Sequence, residues 1–153
     1  MKSFPLRSII AVLVLCLICT CNDDSGVSDN QNIVGAWHIM AIHNSSPSGP
    51  TLGPNTGEVI SIIFLENGKF TGTTSANTFG GEYSATENRL LIKEMFTTEV
   101  ADTNFGNVFY ETFNESRNSE TGFSEFEIVV KAENMLNLEF KEFKFISLQK
   151  RQS

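Results

Sequence analysis

The chain has 153 residues, 41% of them hydrophobic, and a formal net charge of −7. This length suffices for one domain with a sizeable core, and the acidic balance argues against nucleic acid as a partner. All three cysteines, Cys16, Cys19 and Cys21, lie near the N-terminus. The rest of the chain can therefore form no disulfide and no thiolate metal site, and we expect no cofactor.

Residues 1–20 have the pattern of a bacterial export signal. Lys2 and Arg7 precede the apolar run Ile9–Ile18, which is too short to span a bilayer as a helix. Cys21 follows a threonine, an imperfect match to the lipobox at which lipoproteins are cleaved and acylated. We predict a lipoprotein signal peptide over residues 1–20 and lipid attachment at Cys21, with palmitate among the acyl groups. The alternative is an ordinary secretory peptide with incidental cysteines.

The residues after Cys21 are acidic and polar. Asn22-Asp23-Asp24 resembles the export signal that follows the lipidated cysteine in lipoproteins of the Bacteroidetes type. We expect an outer-membrane lipoprotein of the cell envelope, periplasmic or surface-facing, held at the membrane by N-terminal acyl chains. Residues 21–32 indicate a flexible tether, followed by one domain over residues 33–150. Removal of residues 1–20 takes away two of the 11 basic residues and none of the 18 acidic ones, so the remaining formal charge is −9.

The segment Ile33–His43 predicts the first strand of this domain. Trp37 is the only tryptophan and shares a face of a regular strand with Ala41, which indicates a core anchor. The only histidines, His38 and His43, would then point to opposite faces. A shared metal site would require a bulge between them, so we expect none.

The stretch Glu58–Lys93 predicts two consecutive β-hairpins. Glu58–Leu65 is rich in β-branched and aromatic residues, which suit a half-buried strand. Asn67-Gly68 is the strongest short hairpin signal, because a type I′ turn needs positive φ at both central residues. The elements that follow are Phe70–Thr73, a glycine-rich corner at Asn77–Gly81, and a second pair of strands, Tyr83–Ala85 and Leu90–Ile92.

One helix and three closing strands complete the predicted domain. Thr103–Ser116 predicts the helix, because its phenylalanines at positions 105, 109 and 113 form one apolar stripe. Alternating apolar residues predict strands over Phe123–Lys131, Met135–Lys141 and Phe143–Gln149. We therefore predict a mainly β (α+β) fold, an antiparallel sheet or partly open barrel of about eight strands with one packed helix.

The order of several short motifs resembles the META/HslJ domain family. The motifs are Gly35-Ala36-Trp37, Gly72 and Asn77 of a segment like Gly-x-x-Cys-Asn, Gly81 and Tyr83 of a Gly-x-Tyr strand, and Phe96–Ala101. The resemblance covers Ile33–Lys150 and implies a compact antiparallel β fold with a helix, envelope or stress-associated roles, and no established reaction. The chain departs from the family at Ala76 and at or near Asp102, where the family has cysteines. Any covalent tie at those positions is therefore absent.

No catalytic motif stands out. The chain contains no Gly-x-Ser-x-Gly elbow, no P-loop and no His-Glu-x-x-His motif. We expect a non-catalytic binding or envelope-stress and maintenance module with an envelope protein as its partner, and an unrecognised hydrolase is the enzymatic alternative. The other alternative is a lipocalin-like carrier of a small hydrophobic ligand, which would need open space inside the barrel.

The corner and the long loop before it are the candidate binding surface. Glycines at the corner can bring backbone close to a surface, although a tight sheet corner would use them equally. The loop Ser45–Gly57 is rich in proline and glycine, and loops of this length are often functional. The corner residues that we expect to contribute are Asn77, Phe79, Gly80, Gly81 and Tyr83.

Overall fold

The computed structural model describes residues 33–152. The predicted signal peptide, Cys21 and the predicted tether lie outside the described residues. Within residues 33–152 the chain forms the following elements in order: β1 (Gly35–His43), β2 (Ile60–Phe64), β3 (Lys69–Thr73), β4 (Thr78–Ala85), β5 (Arg89–Thr97), α1 (Asn104–Glu115), β6 (Ser124–Ala132), β7 (Met135–Phe140) and β8 (Lys144–Lys150).

The strands form one closed antiparallel barrel. Each strand pairs with its neighbours in chain order, and β8 returns to pair with β1. The predicted mainly β, antiparallel fold with one helix is confirmed, and the barrel is closed rather than partly open. In the part of the chain from 33 to 152, no helix is long and apolar enough to span a membrane.

The two predicted hairpins are present with changed boundaries. The turn between β2 and β3 lies where the Asn-Gly signal predicts, and Gly68 has φ +76°, but Asn67 does not have a positive φ, so the predicted type I′ turn is wrong. The Gly68 N–H donates to the Leu65 carbonyl oxygen at 3.2 Å, which is the pattern of a type I turn followed by a left-handed glycine. β4 begins at Thr78, so most of the predicted corner belongs to the strand and the connection is limited to residues 74–77. β5 continues to Thr97, well past its predicted end at Ile92.

A β-bulge in β1 corrects the predicted assignment of faces. The register of β1 against β8 shifts between Ile39 and Ala41, which inserts one extra residue into the strand. After the bulge Ile42, rather than Ala41, is buried in the core. Because side chains alternate along a strand, His38 and His43 both lie on the outer face, not on opposite faces.

The interior of the barrel is filled by side chains. Helix α1 turns its predicted aromatic stripe towards this interior. The Thr103 hydroxyl caps the helix by accepting a hydrogen bond from the Gly106 N–H at 3.1 Å. A continuous series of rings, with neighbouring centroids 4.9–6.4 Å apart, crosses the core in the order Tyr83, Phe64, Phe70, Phe79, Phe109, Phe113, Phe126 and Phe140. Contacts of this kind stabilise a core beyond simple area burial.

Candidate functional site

The five residues predicted to form a binding surface have buried side chains or buried backbone. Phe79 and Tyr83 are 1% and 2% exposed, and the Tyr83 hydroxyl donates to a backbone carbonyl oxygen of the β2–β3 turn at 2.7 Å. Gly80 and Gly81 are buried within β4, and Asn77 is 4% exposed. The five residues therefore form a packed corner of the barrel and present no exposed side-chain surface.

Asn77 uses the whole hydrogen-bonding capacity of its side chain. Its Nδ2 donates to the Val100 carbonyl oxygen at 2.8 Å and to Asp102 Oδ2 at 2.9 Å. Its Oδ1 accepts from the Thr98 hydroxyl and from the Val100 N–H, each at 2.9 Å. A primary amide offers two donors and two lone pairs, so Asn77 is fully engaged within the protein and ties the β3–β4 connection to the segment between β5 and α1.

Asp102 is the second centre of the same network. Its Oδ2 also accepts from the Thr74 hydroxyl, and its Oδ1 accepts from the Thr103 N–H at 2.8 Å. Burial raises the pKa of Asp102, but hydrogen bonds from Thr74, Asn77 and Thr103 together outweigh it, so the pKa lies below its ordinary value. We call Thr74, Asn77, Thr98 and Asp102 the Asn77–Asp102 cluster.

The cluster joins the two segments in which the family resemblance expects cysteines, at Ala76 and near Asp102. This chain has no cysteine in either segment. Hydrogen bonds to a buried amide and to a carboxylate hold the same two segments together without a covalent link. The arrangement fixes the β3–β4 corner against the start of α1, and its polar groups are occupied by one another.

The glycines of the corner allow β4 and β5 to approach each other closely. A Cβ at Gly81 would lie 1.9 Å from the Glu94 carbonyl oxygen on β5, and a Cβ at Gly80 would lie 3.0 Å from the ring of Phe96. The first distance is far inside van der Waals contact, so no side chain fits at Gly81. The glycines therefore serve strand packing at this corner, which is the alternative that the sequence left open.

The loop over residues 44–57 folds back against the barrel. Leu52 exchanges two backbone hydrogen bonds with β1, each at 2.8 Å. His43 lies beneath this loop, with its Nδ1 3.2 Å from the Thr51 hydroxyl and its ring stacked on Phe145 at 5.3 Å between centroids. Within residues 33–152, no three side chains of histidine, cysteine, aspartate or glutamate come together as metal ligands.

A cleft of about 440 Å³ opens over β5, β6 and β7, and its lining is rich in charged side chains. Arg89 donates to Glu125 at 2.6 Å, and this hydrogen bond is the main reason that the pKa of Glu125 lies below its ordinary value. Glu127 and Glu139 are cross-strand neighbours, and Lys131 lies 3.3 Å from Glu139. Exposed ion pairs of this kind stabilise little, and the charges of this cleft partly neutralise one another.

A second cleft, of about 370 Å³, lies between the C-terminal half of β5 and α1. We call it the β5–α1 cleft. The sequence did not predict it, because the predicted strand ended at Ile92 and the pattern beyond that residue is only weakly periodic. The Thr97 hydroxyl lies 3.2 Å from the Tyr110 hydroxyl across the cleft. Its lining includes Ile92, Met95 and Thr97 from β5, and Tyr110, Phe113 and Asn114 from α1.

The closed eight-stranded barrel with one packed helix defines the class of protein: a small antiparallel β-barrel domain. Two solved structures share this fold. One is a protein from Burkholderia xenovorans, with a TM-score of 0.58 and 14% identity over 83% of this chain and 85% of that chain. The other is a lipocalin-like protein from Bacteroides uniformis, with a TM-score of 0.50 and 17% identity over 78% of this chain and 99% of that chain.

The family is given by the sequence itself. The META domain family matches residues 31–118, more than half of the chain, and the chain belongs to this family. The resemblance noted from Gly35-Ala36-Trp37, Asn77 and Tyr83 is thereby confirmed. No curated protein sequence matches the chain significantly.

Proposed function

We propose that this META domain protein is a lipid-anchored, non-catalytic binding module of the bacterial cell envelope. Residues 1–20 direct export, acyl chains on Cys21 hold the chain at the outer membrane, and the tether over residues 21–32 lets the barrel reach an envelope protein. The charged start, the apolar run and the acidic residues after Cys21 support the anchoring. The family resemblance supports a role in the envelope.

The filled interior of the barrel is the observation that carries the binding role. A carrier of small hydrophobic ligands needs empty volume between the strands. Here the space is occupied by rings such as Phe64, Phe79, Phe109 and Phe126, none more than 2% exposed. A partner would therefore bind to the outside of the barrel, and this favours the binding module over the lipocalin-like carrier.

Metabolic labelling with an alkyne palmitate tests the anchor in the native host. We expect the wild-type protein to take up the label and Cys21→Ser to lose it, because the acylated thiol is then absent. Cys19→Ser is the matched control and should stay labelled. Label that persists in Cys21→Ser, or that disappears in Cys19→Ser, would contradict lipid attachment at Cys21.

Photo-crosslinking in intact cells tests the binding role. A photoreactive amino acid is placed at Glu82, Lys93 or Glu127, which are exposed on three strands, and at buried Phe109 as the control. We expect one envelope protein to crosslink from some exposed positions and none from the buried one. Absence of any crosslink, together with stoichiometric uptake of a fluorescent fatty acid by the purified protein, would overturn the proposal and favour the carrier.

A further inference from the structure

Strand β5 is paired on both sides along only half of its length. Its residues 90–97 pair with β4, but only Arg89–Ile92 pair with β6. A bulge between Glu82 and Tyr83 in the register with β4 marks the point beyond which β5 leaves β6. The second half of β5 therefore has an edge without a neighbouring strand inside an otherwise closed barrel.

The alternation of the ladder identifies the groups on this edge. The Thr98 N–H donates to the Thr78 carbonyl oxygen at 3.0 Å. Hydrogen-bonded pairs alternate along an antiparallel ladder, so Phe96 is the next β5 residue whose backbone groups face β4. The N–H and C=O groups of Met95 and Thr97 are thus directed away from β4. Within residues 33–152 these four backbone groups have no hydrogen-bond partner.

The free edge opens into the β5–α1 cleft. Ile92 and Phe113, which are 3% and 6% exposed, and the half-buried Met95 form an apolar floor. The charged side chains of Lys93, Glu94 and Arg117 also line the cleft. Tyr110 and Asn114 on α1 form the opposite wall. This wall is a helix of the same barrel, so the cleft suits a single extended segment beside β5 better than the sheet of a second barrel. The Thr97 and Tyr110 hydroxyls meet across the cleft at 3.2 Å, and a segment bound at Thr97 would replace this contact.

We propose that the edge of β5 at Met95 and Thr97 binds an extended peptide segment of the partner by strand addition. An extended chain presents donors and acceptors at the same two-residue spacing as the free groups of β5. Its alternate side chains would face the apolar floor, so the segment carries apolar residues at every second position. This inference rests on the proposed binding role and names its surface and the chemistry of its partner.

Selection from a random peptide library on the full-length acylated protein in detergent tests the inference. We expect the enriched peptides to share alternating apolar residues and to bind the purified protein in fluorescence anisotropy. Thr97→Pro removes one free N–H without touching the β4 ladder, and it should weaken binding by about tenfold. Thr97→Val keeps the N–H and is the matched control, with affinity expected within about threefold of the wild type.

Backbone methylation of the peptide gives a second readout that does not depend on how the variants fold. N-methylation of the odd-numbered peptide residues and of the even-numbered ones should have opposite effects. One set should abolish binding and the other should leave it intact, because only every second N–H of an added strand faces β5. Equal effects in both parities, no enrichment over an empty selection, or unchanged binding to Thr97→Pro would overturn strand addition. A dimer without peptide that Thr97→Pro dissociates would instead assign the edge to a second copy.

The two proposals fail separately. Loss of peptide binding with crosslinks retained at Glu82 or Glu127 would reject strand addition and leave the envelope binding module intact. Absence of the palmitate label from the wild-type protein, or its persistence in Cys21→Ser, would reject the anchor and leave peptide binding to β5 unaffected.

Discussion

Replacement of Asn77 by alanine should destabilise the barrel markedly, although the residue lies outside the aromatic core. The change deletes four hydrogen bonds at once. Two of them involve the backbone of Val100, a residue that is 59% exposed, so water can replace them in part. At about 1 kcal/mol for a neutral hydrogen bond and roughly 1.5–3 kcal/mol for one to a carboxylate, we expect a loss of about 2–4 kcal/mol.

Urea unfolding followed by the fluorescence of Trp37, the only tryptophan and 2% exposed, measures this loss. With a slope of about 2 kcal/mol per molar, the midpoint should fall by about 1–2 M. Asn114→Ala removes an exposed amide from α1 and is the control, expected within about 0.5 kcal/mol of the wild type. A midpoint for Asn77→Ala that matches the control would refute the structural role of the cluster.

Asn77→Asp separates the hydrogen bonds from the charge at this position. The new carboxylate keeps the acceptor that faces Thr98 but loses both N–H donors and lies beside Asp102, so near neutral pH the variant should be at least as unstable as the alanine variant. Protonation of one of the two carboxyl groups should recover part of the loss, and it should begin above the ordinary carboxyl pKa of about 4, because each negative charge disfavours ionisation of the other group. A pH profile parallel to that of Asn77→Ala would argue against close approach of the two groups.

Three further changes test other parts of the fold by the same unfolding assay. Gly81→Ala should lower the free energy of unfolding by about 3 kcal/mol or more, because its Cβ would meet a β5 carbonyl oxygen at 1.9 Å. The control Gly53→Ala, whose Cβ would have its nearest atom at 3.7 Å, should lower it by less than about 0.5 kcal/mol. Equal losses would contradict the close strand contact. Phe109→Ala should cost about 3–5 kcal/mol and Phe96→Ala, at 65% exposure, much less; the reverse order would contradict the filled interior. The lowered pKa of Asp102 stabilises the fold above the ordinary carboxyl pKa of about 4, and this stabilisation is lost as the pH falls through the folded-state pKa. Asp102→Asn should therefore be less stable near neutral pH and lose less on acidification than the wild type, and identical pH profiles would count against this role.

The Asn-Gly turn and the helix stripe show what local sequence can predict. Asn67-Gly68 correctly predicts where the hairpin turns, and Gly68 has a positive φ, but Asn67 does not, so the turn is not of type I′. The helix stripe depends on spacing within a few turns, and α1 begins and ends within one residue of the predicted Thr103–Ser116. Patterns that span only a few neighbouring residues can be interpreted from the sequence, because a residue and its sequence neighbours set the backbone conformation.

The candidate site was far less predictable. Asn77 and Asp102 are 25 residues apart in the chain, and nothing in the sequence shows that one amide satisfies both the carboxylate and the backbone of Val100. The burial of Phe79 and Tyr83 depends likewise on which face of β4 meets α1 and the β2–β3 turn. A glycine-rich corner reads the same in the sequence whether it bounds a binding surface or a close contact between strands.

The amino-acid sequence by itself predicted about eight antiparallel strands, one helix and a single buried tryptophan, because alternation and spacing act locally. Its motifs indicated the META domain family, which matches residues 31–118. Only the tertiary structure decided that β8 pairs with β1 to close the barrel, that a bulge moves Ile42 into the core in place of Ala41, and that β5 extends beyond its pairing with β6. Each of these depends on the register between segments distant in the chain, and register is fixed by the partner strand and the shared core rather than by the residues of one strand alone.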